Sequence, residues 1–246
     1  MMSLTEVSLS DVVQKQYVYK LKAYYPALTS MVIIQLMAIL LSLGGVGMYG
    51  SGRPGLDISV HYYSVDLVIG LTMFWVFVTS ILVTTKTHRL SDFTFVANRL
   101  SSHLSNGIFL LTASIIGGVT AMLSEFLLKV IIYFIRGIEF IQINFPTLQE
   151  WTLGLGAACL YMMLFSVLGY FCGLLVQLNR MFVVLLPGMI VGLLIWGAKL
   201  KGGEGNAMIE FFGAEPSFFL LLLKVVTVAG LLFASASALS NRLEVK

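Results

Sequence analysis

Charge is what this sequence has least of: 11% of its 246 residues are Asp, Glu, Lys or Arg, against roughly a quarter in a soluble domain. With 58% hydrophobic residues and a mean hydropathy of +0.94, the chain carries more apolar surface than one water-soluble core of this length can hide. Cysteine is scarce too. Cys159 and Cys172 lie in one apolar run, where helix geometry sets them roughly 20 Å apart, far beyond bridging distance. Neither has a thiol, histidine or carboxylate at ligand spacing, so both read as apolar filler and no metal site is expected. The three histidines, His61, His88 and His103, lie outside the apolar runs or at their ends, which removes the intramembrane metalloprotease and Ser-His patterns. H-E-x-x-H, G-x-S-x-G and the phosphate-cradling G-x-x-x-x-G-K-[ST] are all missing. No catalytic residue is assigned, and the chain is not expected to be an enzyme by itself. The net charge of +3 is small and scattered, so nucleic acid is not an expected partner.

What is present is six long apolar runs, at about 27-49, 64-85, 106-135, 152-178, 181-198 and 217-239. Each is near or above the roughly 18 to 20 residues that a helix needs to cross a hydrocarbon layer of about 30 Å. The alternation over about ten residues expected of barrel strands is not found. The expected fold class is therefore all-α: a polytopic membrane protein with a domain of six transmembrane helices over 27-246, preceded by an interfacial segment at 1-26. The third run exceeds one crossing, so it should tilt, bend near Gly117 and Gly118, or project past the surface. With the N-terminus inside, the inner segments hold Lys15, Lys20, Lys22, Lys86, Arg89, Arg99, Arg180, Arg242 and Lys246, against Arg53, Arg136, Lys199 and Lys201 outside. That bias places both termini in the cytoplasm of a multi-pass protein of the cell membrane.

Residues 1 to 25 lack a continuous apolar h-region, so no cleavable signal peptide is expected. Within them, Leu9, Val13, Tyr17 and Leu21 recur every four residues, with Lys15, Lys20, Lys22 and Gln14 on the other side. The pattern predicts an amphipathic helix in the inner membrane interface, capped by Ser8 or Ser10 and broken at Pro26.

Ionisable residues within spans are costly in lipid and are functional candidates for that reason. Glu125 and Lys129 are four apart in the favourable order for a helical ion pair. Counted from the outer surface, Lys129 and Lys224 lie at about 10 Å, Glu125 at about 15 Å and Asp66 near the interface. The four would line an outward-opening polar pathway, or they are a structural pair with Lys224 snorkelling. Gly154, Ala158, Gly169 and Gly173 in "GLGAACLYMMLFSVLGYFCG" predict close helix packing, with a neighbour in the same chain or in another. The outer loop at 199-216, with Glu204, Glu210 and Glu215, fits two short helices hinged at Gly213, and its acidic character suits receipt of a cationic peptide.

Between the second and third spans lies a polar segment, 86-105, containing "LSDFTFVANRLSSHLSN". Six spans, inward termini, the interfacial helix, this cytoplasmic segment and the amphipathic outer loop together resemble the membrane subunits of ABC-2-type transporters (the type V ABC exporter fold). In that family the segment carries a coupling helix that docks into the ATPase subunit. The resemblance implies that Ser91 or Asp92 caps it, that Phe93, Phe95 and Val96 make its apolar contacts, and that Arg99 supplies charge near its end. The proline usual in the following turn is absent from "NRLSSHLSN". Spans two and five usually line the pathway, which makes Phe74, Trp75, Phe77, Met181, Phe182 and Met189 candidate wall residues. Such an aromatic and Met-rich wall suits an amphipathic substrate.

The resemblance implies a permease subunit of an ATP-driven bacterial exporter whose substrate is a toxin or antimicrobial peptide. The alternatives are a resistance pump that clears drugs or antimicrobials from the membrane, or a non-transport scaffold or sensor. The implied partners are a cytoplasmic nucleotide-binding ATPase subunit, a second permease chain (a homodimer in preference to a heterodimer) and membrane lipid. ATP and magnesium would belong to the ATPase; no cofactor is assigned to this chain.

Overall fold

The computed structural model describes residues 8–44, 47–53, 56–62, 64–85, 99–136, 147–200, 207–213, 215 and 217–240. Its elements in chain order are α1 (Leu9–Ala23), α2 (Tyr25–Ser42), β1 (Gly47–Arg53), β2 (Leu56–Tyr62), α3 (Asp66–Thr84), α4 (Arg99–Arg136), α5 (Leu148–Leu178), α6 (Phe182–Leu200), α7 (Ala207–Gly213) and α8 (Phe218–Ser240). Five of them, α2, α3, α4, α5 and α8, are long and apolar enough to cross a membrane. The chain is a multi-pass helical membrane protein. Helix α6 stands where the fifth run is predicted.

Boundaries differ from hydropathy where a polar or glycine-rich stretch meets an apolar one. Ser8 caps α1, its hydroxyl accepting from the Asp11 amide at 3.2 Å. The chain turns at Tyr24, and Pro26 sits in the first turn of α2, where a missing amide costs nothing. Helix α2 then stops at Ser42, well short of residue 49. Gly44, Gly45 and Gly47 follow, and a run of glycines does not sustain a helix. The chain instead forms an antiparallel hairpin, with Gly47 opposite Tyr62 and Arg53 opposite Leu56. The hairpin is a local addition to the expected helical bundle. Its signals are short: "RPG" offers a turn, and "LDISVHY" alternates over seven residues, too few for a membrane strand. At 38 residues, α4 is the longest helix and runs unbroken through Gly117 and Gly118. Thr147 and Glu150 form a capping box at the start of α5.

Helix α5 is the hub, packing along α3, α4 and α8. Glycine makes this possible. A Cβ on Gly169 would collide with the Phe77 carbonyl oxygen and lie 3.0 Å from the Ser80 Cβ. One on Gly173 would collide with the Thr84 hydroxyl and lie 3.2 Å from the Ile81 Cα. The G-x-x-x-G partner is therefore α3 of the same chain, which settles what the sequence leaves open. Gly118 likewise admits Cys159, whose sulfur would be 2.7 Å from an added Cβ. Cys159 fills a helix crossing, as expected of apolar filler. Polar side chains join the helices elsewhere: Gln35 of α2 donates to Thr120 of α4 at 2.9 Å and to Thr72 of α3 at 3.3 Å. Such bonds contribute about 0.6–2 kcal/mol each between membrane helices.

Helix α1 packs on α4 through a face that keeps Val13, Tyr17 and Leu21 of the four-residue pattern and Tyr24 beside it, and extends to polar residues that the pattern leaves out. Val13, Gln16, Lys20 and Tyr24 are buried, while Leu9 is exposed alongside Gln14, Lys15 and Lys22. The buried face runs through the polar residues Gln16 and Lys20, so Lys20 belongs to the interior and not to the solvated side. Gln16 is fully buried, and its amide nitrogen and oxygen have no hydrogen-bond partner among the described residues. Leucine there should remove that desolvation cost while keeping the volume. Gln16→Leu is expected to stabilise the protein by about 1–2 kcal/mol, read as a higher melting temperature in detergent; a lower one would mean that the amide has a partner.

Candidate functional site

Two polar centres stand out, one at each end of the bundle. At the end carrying α1, Lys20 donates from Nζ to Ser105 Oγ at 2.7 Å and to Asn106 Oδ1 at 2.5 Å. Asn106 Nδ2 reaches the Tyr170 hydroxyl of α5 at 3.4 Å, and His103 Nδ1 shares a hydrogen bond with that hydroxyl at 2.6 Å. Tyr17 and Thr112 pair through their hydroxyls at 2.9 Å. The Gln177 side-chain amide of α5 donates to the Thr84 carbonyl at the end of α3. Lys20, Ser101, His103, Ser105 and Asn106 are all buried. Tyr170 stacks on Phe233 of α8 with ring centroids 5.9 Å apart, and Phe233 faces Gly107. Helices α1, α4 and α5 thus meet in one hydrogen-bonded junction, with a separate bond from α5 to the end of α3 and a ring contact to α8.

That junction explains why α4 already includes residues 99–105, ahead of the boundary expected at 106. "SSHLSN" reads as loop by polarity, but here its side chains find partners inside the bundle. Arg99 is the first described residue of α4. Asp92, Phe93, Phe95 and Val96, with Ser91, lie outside the described residues.

At the end carrying the hairpin, Lys129 and Glu125 form the expected i, i+4 pair at 2.7 Å. Asp66 is exposed in the first turn of α3, where its carboxylate complements the helix dipole and accepts from Ser64 Oγ at 2.7 Å. Lys224 is not alone. Its Nζ pairs with the Glu215 carboxylate, donates to the Phe211 carbonyl oxygen at 3.1 Å and lies 4.0 Å from the Phe211 ring centroid. The Tyr161 hydroxyl of α5 donates to the next carbonyl, that of Phe212, at 2.6 Å. Helix α8 starts low: Phe218 packs on Gly156, eight residues into α5 and so about 12 Å from its start at 1.5 Å per residue. Helix α7 is therefore tucked beside α5 and α8, its last carbonyls satisfied by Tyr161 and Lys224 as burial requires.

The predicted wall residues divide. Phe74, Met181 and Met189 are exposed, at 62%, 71% and 56%. Phe77 and Phe182 are half-buried. Trp75 points the other way, 5% exposed, with its indole N–H donating to Ser30 of α2 at 2.9 Å. Trp75 belongs to the interior of this chain. Among the described residues no three His, Cys, Asp or Glu side chains converge to hold a metal ion.

No protein-family model, curated protein or solved structure matches the chain. The functional reading rests on the residues themselves. The junction at Lys20 was missed by sequence reasoning because Lys20 sits among exposed lysines; the available signal was that Gln16, Lys20 and Tyr24 continue the line of Val13 at helical spacing.

Proposed function

We propose that this chain is the membrane-spanning permease subunit of an ATP-driven exporter of the ABC-2 type, with α6 as the fifth of six spans and both termini in the cytoplasm of the cell that holds it. The observation that carries the reading is the junction of α1, α4 and α5 around Lys20 and Tyr170, with α5 bonded in turn to the end of α3. The segment 86–105, read from the sequence as the coupling element, follows α3, which ends at Thr84, and its last residues, 99–105, lie in α4 and include Ser105, a partner of Lys20. A push on that segment from a nucleotide-binding subunit would reach α1, α4 and α5 together. The ATPase subunit would hold ATP and magnesium. A second copy of the permease would face the exposed side chains of α3 and α6, and an amphipathic substrate, a toxin or antimicrobial peptide, would pass between the two chains.

The test is co-purification with the ATPase encoded nearest to this chain, followed by the double substitution Phe93→Ala with Phe95→Ala. The expected result is at least tenfold weaker association and loss of permease-stimulated ATP hydrolysis, with the permease still monodisperse. Unchanged association and stimulation would remove the coupling role from this segment. A chain that binds no ATPase would be a scaffold or sensor instead.

A further inference from the structure

Phe211 and Glu215 belong to one short stretch of chain, α7 and the turn that follows it. The carbonyl oxygen and ring of Phe211 and the carboxylate of Glu215 converge on a single point. Each of the three attracts a cation, by lone pair, by ring quadrupole and by full charge. The group at that point is an ammonium, brought from α8 on the flexible four-carbon stem of Lys224. Lys224 and Glu215 keep 24% and 17% of their side-chain surface exposed, so the pair is reachable. Beside it lies apolar surface: on α8, Leu220 stands one turn before Lys224 on the same face and is 46% exposed, and Phe211 is 52% exposed.

We propose that the α7 turn is a receptor for the ammonium or guanidinium group of an amphipathic cation, and that Lys224 is its tethered, displaceable occupant. The proposal rests on the export reading and deepens it by naming the substrate class. Exchange of one cation for another leaves Glu215 paired throughout, which avoids the large cost of a buried carboxylate without a partner. The incoming molecule would lay its apolar part along Leu220 and the neighbouring α8 surface. Lys224, once released, would reach solvent through its exposed side.

The experiment measures binding of radiolabelled dodecyltrimethylammonium to the purified full chain in phosphatidylcholine nanodiscs, corrected for empty discs. A tethered occupant competes at an effective concentration of about millimolar or above, so its removal should reveal the site. Lys224→Gln is expected to bind the probe at least tenfold more tightly than wild type. Lys224→Arg keeps the resident charge and should bind no tighter than wild type. Glu215→Gln, alone or combined with Lys224→Gln, should lose the specific component, and Phe211→Leu should reduce the gain of Lys224→Gln. Equal binding by wild type and Lys224→Gln, or the same gain for an uncharged dodecyl ether, would overturn the proposal. If Lys224→Gln does not fold, Lys224→Arg and Glu215→Gln decide alone: Glu215→Gln binding as well as wild type overturns it. No ATPase is present in this assay. Failure of the Phe93 and Phe95 test therefore strikes the export reading, whereas indifference to Lys224 and Glu215 strikes only the receptor.

Discussion

Gly169→Leu is expected to prevent the bundle from assembling. Even the first carbon of a side chain at this position meets the Phe77 carbonyl oxygen and the Ser80 Cβ, and neither is the far end of a flexible group that could swing aside. Overpacking of a tight core costs about 1–3 kcal/mol when neighbours can shift. Backbone cannot, so Gly169→Ala alone should cost about 2–4 kcal/mol and Gly169→Leu more than about 4 kcal/mol, the range in which single changes unfold proteins. The measurement is the yield of monodisperse protein and its melting temperature in mild detergent. Gly230→Ala is the matched control, since nothing lies within 4 Å of a Cβ there and alanine is the better helix former by about 1 kcal/mol. It should be neutral or stabilising. Equal behaviour of Gly169→Ala and Gly230→Ala would show that the contact between α3 and α5 is not formed as described.

The second large effect is expected at Lys20. Lys20→Met keeps most of the stem and removes the ammonium, leaving Ser105 and Asn106 buried without the donor they share. Hydrogen bonds to a charged group contribute about 1.5–3 kcal/mol, and stranding their buried partners adds to the loss. A destabilisation of about 2–4 kcal/mol follows, a fall of about 4–16 °C at the 2–4 °C per kcal/mol typical of chains of this length. Lys22→Met, two residues away on the exposed side of α1, should change the melting temperature by less than about 1 °C. Release of α1 should also make Tyr17 and Tyr24 susceptible to chymotrypsin in Lys20→Met and not in Lys22→Met. Protection of both tyrosines in both variants would mean that α1 is held by its apolar contacts alone.

The contrast between Lys20 and Lys22 also marks how far the sequence could be read. Hydropathy and length locate the membrane helices because lipid demands a long apolar run, and α3, α5 and α8 fall within a few residues of their expected places. Glycine spacing announces tight packing but not the partner, since a helix without a Cβ invites any neighbour. Polarity misleads at the ends of the bundle. His103, Ser105 and Asn106 look like loop until Lys20 and Tyr170 are known to meet them, and those partners lie 64 to 86 positions away. The pair of Glu125 and Lys129 was legible because both members share one helix. That of Glu215 and Lys224 was not, because it depends on how a loop folds back onto the next helix.

The seam of Gly169 and Gly173 also limits how the protein can deform. Backbones in direct contact cannot slide past one another without first separating, so α3 and α5 must turn as a single plate, and α4 follows through Gly118 and Cys159. Among the described elements helix α6 packs chiefly on α7 and α5, and it contains Pro187. It lacks the clasp that holds the others. A cycle of opening and closing in this molecule would therefore be a rotation of the rigid plate against a compliant sixth helix, with the hinge at the Asn179–Met181 turn that separates them.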